Sequence, residues 1–99
     1  MNVKQMVKEK RIAFITPSTE RLYYVPKSMV RRMDAKKRSY LGATVLNKCV
    51  KIKPNCGDEV VYVDAKGNLR IPKSLVRRAN INKEKVAVLQ EKANEIVIV

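Results

Sequence analysis

The chain has 99 residues with 22 Lys+Arg against 9 Asp+Glu, a formal charge of +13, two Cys, no His and no Trp. That length holds one domain, or two very small units sharing a core, and the missing His removes the commonest general base and metal ligand, so an enzyme is disfavoured. At 45% apolar residues the chain is too hydrophobic for a disordered basic tail, and it is expected to fold.

Read in chain order, residues 1–7 form a short N-terminal extension. A strand is predicted from Arg11 to Thr16, a turn from Pro17 to Glu20 and a second strand from Arg21 to Val25. A short helix follows from Pro26 to Met33, then strands from Tyr40 to Leu46 and Cys49 to Lys53. The segment Cys56, Gly57, Asp58 reads as a junction. Beyond it the β-branched and aromatic run Glu59 to Val63 predicts a strand, Asp64 to Asn68 a turn in which Gly67 supplies positive φ, and Leu69 to Ile71 a returning strand. Pro72 suits a first helical position, and the 100° step gathers Leu75, Val76 and Ala79 on one face with Arg77 and Arg78 opposite. Asn80 and Asn82 suit the turn that ends this helix, and strands Lys85 to Gln90 and Glu95 to Val99 close the chain around a turn at residues 92–94.

This order contains a repeat. Val25 to Met33 matches Ile71 to Ala79 with six identities in nine positions, at an offset of 46 residues. Carried through without gaps, the offset sets Arg11 to Thr16 against Gly57 to Tyr62 and Lys48 to Lys53 against Asn94 to Val99. Two ββαββ units result, residues 8–53 and 54–99. A unit this small cannot bury its sheet alone, so the two are expected to interleave into one mainly β, barrel-like domain with a short helix at each end.

Charge is divided unevenly between them. Residues 1–53 hold 14 Lys+Arg and 3 acids, a balance of +11, and residues 54–99 hold 8 and 6, a balance of +2. Such a field exceeds the needs of solubility and attracts polyanions, of which nucleic acid is the first expectation and an anionic membrane surface the rival. No apolar run approaches a membrane span and residues 1–11 lack a signal-peptide core, so a cytoplasmic, nucleoid-associated protein is expected. Cys49 and Cys56 form neither a disulfide framework nor a zinc motif, and both are read as thiols. Nothing resembles a Gly-rich phosphate loop, a nucleophile with its base, or a carboxylate cluster, so no cofactor, metal or small-molecule substrate is expected.

From Asp64 through the turn Gly67, the strand ending Ile71-Pro72 and the basic helix to Ala79, with Ile81 and the Val86 and Val88 strand, the second unit closely resembles the AbrB/SpoVT family. The first unit fits the same template more loosely over Ser18 to Met33. The resemblance implies a swapped-hairpin β-barrel that binds double-stranded DNA, ordinarily built from two identical chains. The repeat makes this chain look like the tandem MraZ-type relatives, a monomeric pseudo-dimer or a homodimer of such chains. The family's helix arginines fall on Val76-Arg77 and Val30-Arg31, so only Arg77 and Arg31 match, while Arg78 and Arg32 lie one place on. The arginine after the turn glycine is Asn68 here and Leu22 in the first unit.

One arginine pair alone would read as solvated surface or an ion-pair partner. Arg31-Arg32 and Arg77-Arg78 recur at one helix position beside Lys27 and Lys73, which points to phosphate contact. Arg21, Lys66, Asn68 and Arg70 flank the hairpin turns, and Lys36-Lys37-Arg38 form a basic run after the first helix. Tyr23, Tyr24, Tyr40 and Tyr62 lie in strands and read as core or cross-strand packing rather than base-stacking platforms. The expected function is a DNA-binding transcriptional regulator. A MazE-type antitoxin is the second reading, weakened because no tail is expected beyond the strand ending at Val99, and a non-specific architectural nucleic-acid binder is the third.

Overall fold

A computed structural model describes residues 2–99. It contains three short helices, α1 (Val3–Lys8), α2 (Lys27–Arg32) and α3 (Lys73–Arg78), and eight strands. The strands are β1 (Ile12–Ile15), β2 (Leu22–Val25), β3 (Ser39–Leu46), β4 (Cys49–Lys53), β5 (Glu59–Val63), β6 (Leu69–Pro72), β7 (Val86–Leu89) and β8 (Ile96–Ile98). All pair antiparallel in one sheet of order β1-β7-β8-β4-β3-β5-β6-β2, which curls into a nearly closed barrel.

The inward side chains follow the period of two that a half-buried strand requires. Val61 and Val63, Leu69 and Ile71, Val50 and Ile52, Val86 and Val88, and Ile96 and Ile98 are all buried in one core. Neither six-residue helix could persist alone. Each is held by the apolar pair it buries, Met29 and Val30 on α2, Leu75 and Val76 on α3, a contribution of about 1.5 to 3 kcal/mol for each large side chain. Both helices start one residue later than the sequence suggests. Pro26 and Pro72 are N-caps with ψ of 137°, so each proline closes the preceding strand instead of opening the helix. The chain leaves each helix through one left-handed residue, Asp34 (φ 57°) and Asn80 (φ 61°).

Four of the seven ladders join strands from opposite halves of the sequence. β1 pairs with β7 and β5 with β3, while β2 pairs with β6 and β4 with β8. At the middle of the last two ladders Tyr24 faces Arg70 and Lys51 faces Val97, each pair separated by 46 residues. The offset is not uniform, however. Ile15 pairs with Val86 and Val61 with Leu41; Ile15 and Val61 are 46 residues apart, but Leu41 and Val86 only 45. Counted to these paired positions, the path from the end of α2 through Lys36, Lys37 and Arg38 to Leu41 is one residue longer than the path from the end of α3 to Val86, and the path onward to β4 is correspondingly shorter.

The two early hairpins differ in finish. In the second, Asp64 N donates to Asn68 O at 2.9 Å, and the ladder continues through Val63 with Leu69 and Tyr62 with Arg70. In the first, Ser18 N donates to Leu22 O at 2.8 Å, but β1 and β2 form no ladder. Pro17 stands where the second hairpin has Val63 and has no N–H to give. The barrel's one open seam lies there.

The junction segment is held close to β3. A Cβ on Gly42 would stand 2.0 Å from the Cys56 carbonyl oxygen, so only glycine admits the crossing. Both cysteines are free thiols. Among the tyrosines, Tyr23 is core, whereas Tyr40 is exposed and stacks across the strands on Tyr62 with ring centroids 5.1 Å apart. The sequence reading of two helices omitted α1. Its start was written in Asn2, whose side chain accepts from Gln5 N at 2.8 Å.

Candidate nucleic-acid interface

The hairpin turns are built alike from different side chains. Ser18 Oγ accepts from the Glu20 and Leu22 N–H groups at 3.3 and 3.4 Å, and Asp64 Oδ1 accepts from the Lys66 and Asn68 N–H groups at 3.0 and 2.9 Å. Ser18 and Asp64 are themselves 46 residues apart. The carboxylate makes the shorter, charge-assisted bonds and has a second oxygen, Oδ2, which takes Arg70 Nε at 3.2 Å. Burial acts to raise the Asp64 carboxyl, but the Asn68 N–H, the Arg70 guanidinium and the Lys66 N–H together outweigh it and hold the group below its ordinary value. Gly67 reaches the φ of 87° that the second turn needs, and in the first turn Arg21 occupies that place at φ 61°.

Three shallow grooves run on from one another past these turns. A central one of about 370 Å³ is lined by Glu20, Tyr24, Asp64, Lys66, Asn68 and Arg70. Lys66 also lines a neighbouring groove of about 310 Å³, with Lys27, Arg31 and Lys37. Glu20 likewise lines a groove of about 290 Å³ on the other side, with Arg21, Lys73 and Arg77. That third groove shares Lys73 and Arg77 with a further hollow lined by Lys83 and Glu84. The hairpin of each half thus meets the helix of the other, and Lys73 N donates to Arg21 O at 3.0 Å across that junction.

The grooves flanking the centre are both net positive but differ in how far acids offset their cations. The α2 groove is walled by four cations, and among the described residues none of Lys27, Arg31, Lys37 and Lys66 has a carboxylate within ion-pair distance. On the α3 side Glu20 and Glu84 intrude, and Glu84 lies 3.5 Å from Lys73 Nζ. Tyr23 sits beneath this side with its hydroxyl donating to Lys83 O at 3.4 Å. Burial and then the Glu84 charge raise its phenol above the ordinary value, against an opposing pull from Arg77.

The thirteen residues singled out in the sequence divide accordingly. Lys27, Arg31, Lys37 and Lys66 converge on one groove, Arg21, Lys73 and Arg77 on the other, and Asn68 and Arg70 on the centre. Lys36 and Arg38 are exposed on the loop after α2 but line none of the three grooves. Arg32 and Arg78 are occupied elsewhere. Arg32 is half-buried and donates to Gln90 Oε1 at 3.2 Å and to the carbonyls of Lys10 at 3.2 Å and Glu9 at 2.5 Å. Gln90, fully buried, in turn donates to Met29 O at 2.9 Å, so Arg32 ties α1 and α2 to the end of β7. Arg78 pairs with Glu59 at 2.6 Å on the surface. Glu20 is the residue that sequence reasoning passed over. Its alignment with Lys66 at the repeat offset was the available signal.

Among the described residues no group of three or more His, Cys, Asp or Glu could hold a metal ion, and no helix is long and apolar enough to cross a membrane. No protein family, curated protein or solved structure matches the chain.

Proposed function

We propose that this chain is a double-stranded DNA-binding protein, a non-enzymatic transcriptional regulator of the AbrB/SpoVT type in which one chain supplies both halves of a swapped-hairpin barrel. The exchange of strand partners between halves supports that architecture, as does the matching of Ser18 with Asp64 bond for bond. The centring of two ladders on residue pairs 46 apart supports a pseudo-two-fold axis running through Tyr24 and Arg70 at one end and Lys51 and Val97 at the other.

The observation that carries the functional reading is the continuous strip of grooves along one end of that axis, closed on the α2 side by Lys27, Arg31, Lys37 and Lys66 without a carboxylate. Cations held apart from acids in a concave strip meet a phosphate backbone without first having to break ion pairs. The same arrangement leaves the charge of +13 partly uncompensated until a polyanion binds.

Binding is therefore dominated by counterion release. With about six phosphates neutralised, duplex affinity falls by about three orders of magnitude between 50 and 200 mM salt. Fluorescence anisotropy with a labelled duplex over that range tests it, and an affinity that scarcely moved would remove the mechanism. Competition with random duplex and with RNA separates a regulator from a general nucleic-acid coat, which would be displaced by both alike.

A further inference from the structure

The central groove has opposite chemistry on its two walls. Glu20 and Lys66 are counterparts in the two hairpins, and both line it. The axis that relates the hairpins therefore exchanges a carboxylate for an ammonium. Their neighbours sharpen the contrast. The Tyr24 hydroxyl donates to Glu20 Oε1 at 3.3 Å and orients that carboxylate over the groove. On the other wall Arg70 is tied to Asp64, leaving Lys66 Nζ and the Asn68 side-chain amide with no protein partner among the described residues.

Resting on the duplex-binding reading, we propose that this groove lies over base edges and reads them with fixed polarity, so that the preferred duplex is non-palindromic. A phosphate at the centre would meet Glu20 and be repelled. An exocyclic amino group suits it, because a carboxylate only accepts; cytosine N4 in the major groove is the matching donor. Lys66 and Asn68 face the other way, toward the N7 and O6 acceptors of guanine or the N6 and N7 edge of adenine. Both walls cannot accept the same half-site. The flanking grooves orient the duplex in the same sense, since the Lys66 side ends in Lys27, Arg31 and Lys37 and the Glu20 side ends near Glu84. The longest dimension of the molecule is 30 Å, so contact covers at most about nine base pairs at ~3.4 Å per pair.

The experiment is selection of the full chain from a randomised duplex pool at 50 mM salt. Anisotropy is then measured on the recovered sequence and on the two palindromes made by doubling either half. The expected result is an asymmetric motif within about nine base pairs, with both palindromes binding about tenfold or more weakly. Glu20→Lys, which puts an ammonium on both walls, shifts preference toward the palindrome of the Lys66 half. Glu20→Gln keeps the side-chain shape at an exposed turn and loses discrimination at that base alone. A palindromic motif, a palindrome that binds as tightly as the recovered sequence, or tight binding with no motif overturns the inference and leaves DNA binding standing. Absence of salt-sensitive duplex binding overturns the functional reading beneath it as well.

Discussion

The two hairpin-and-helix modules of this barrel share a plan and differ in what they invest in it. The second has a carboxylate at the turn, a glycine at the left-handed position and a completed ladder between its strands. The first has a hydroxyl, an arginine at positive φ and an unpaired seam, yet it lies in the half of the chain with a balance of +11. The better-made module carries less charge. The two meet in the α2 groove, where Lys66 from the well-made turn joins Lys27, Arg31 and Lys37 from the basic half. Two modules within one chain permit this division, because a residue changed in one is not thereby changed in the other.

The largest effect that would sharpen the contrast is on binding. Reversing Lys27, Arg31 and Lys37 together to Glu is expected to weaken duplex affinity at 50 mM salt by at least about a hundredfold and to flatten the salt slope by about three. Reversing Lys73 and Arg77 costs about tenfold, since Glu20 and Glu84 already offset that groove. Equal losses measured by anisotropy would end the idea of an uneven footprint.

Next comes the pair that looks identical in sequence. Arg32→Ala leaves Gln90 Oε1 and the Glu9 and Lys10 carbonyls without their donor and is expected to cost about 3 kcal/mol. Arg78→Ala removes a partly exposed ion pair worth at most about 1 kcal/mol. Urea midpoints of the two variants measure the difference, and similar midpoints would show that the Arg32 clamp adds nothing.

The turn residues follow. Asp64→Ala is expected to cost about 2 kcal/mol and Ser18→Ala about 1 kcal/mol, because charge-assisted bonds are the stronger. Only the first effect depends on pH. With its folded value held below the unfolded one, the Asp64 carboxyl stabilises the fold above the ordinary carboxylate range, and this contribution is lost as pH falls through the depressed folded value. Thermal melts of the parent and of Asp64→Ala should therefore converge in strong acid, whereas Ser18→Ala keeps its deficit throughout. The smallest effect has opposite signs in two assays. Arg21→Gly relieves a left-handed arginine by about 1 kcal/mol and raises the melting temperature, while removing one cation and weakening duplex binding by a few-fold.

The local elements were legible because their signals are local. Strands Cys49 to Lys53 and Glu59 to Val63 fall where the β-branched runs put them, and Gly67 and Asn80 take the left-handed conformations their positions announced. What escaped depends on partners distant in the chain. Arg32 and Arg78 occupy one place in the repeat, but their acceptors come from α1 and β7 in one case and from β5 in the other. The shift from 46 to 45 residues was hidden because a lengthened path and a shortened one cancel by the end of each unit. For Tyr40 the sequence left core and cross-strand packing both open, and the ladder that sets it opposite Tyr62 on the outer face selects the second.

The ladders between halves also set how this chain must fold. Pairing Ile12 with Leu89 and Tyr24 with Arg70 joins segments far apart along the chain, so much of the closure entropy falls due before the contacts that repay it exist. A barrel wired this way is expected to refold slowly for its size. Because every such contact lies within one polypeptide, forming these ladders is a closure of the chain's own loops, set by their length and not by an encounter between two separate halves.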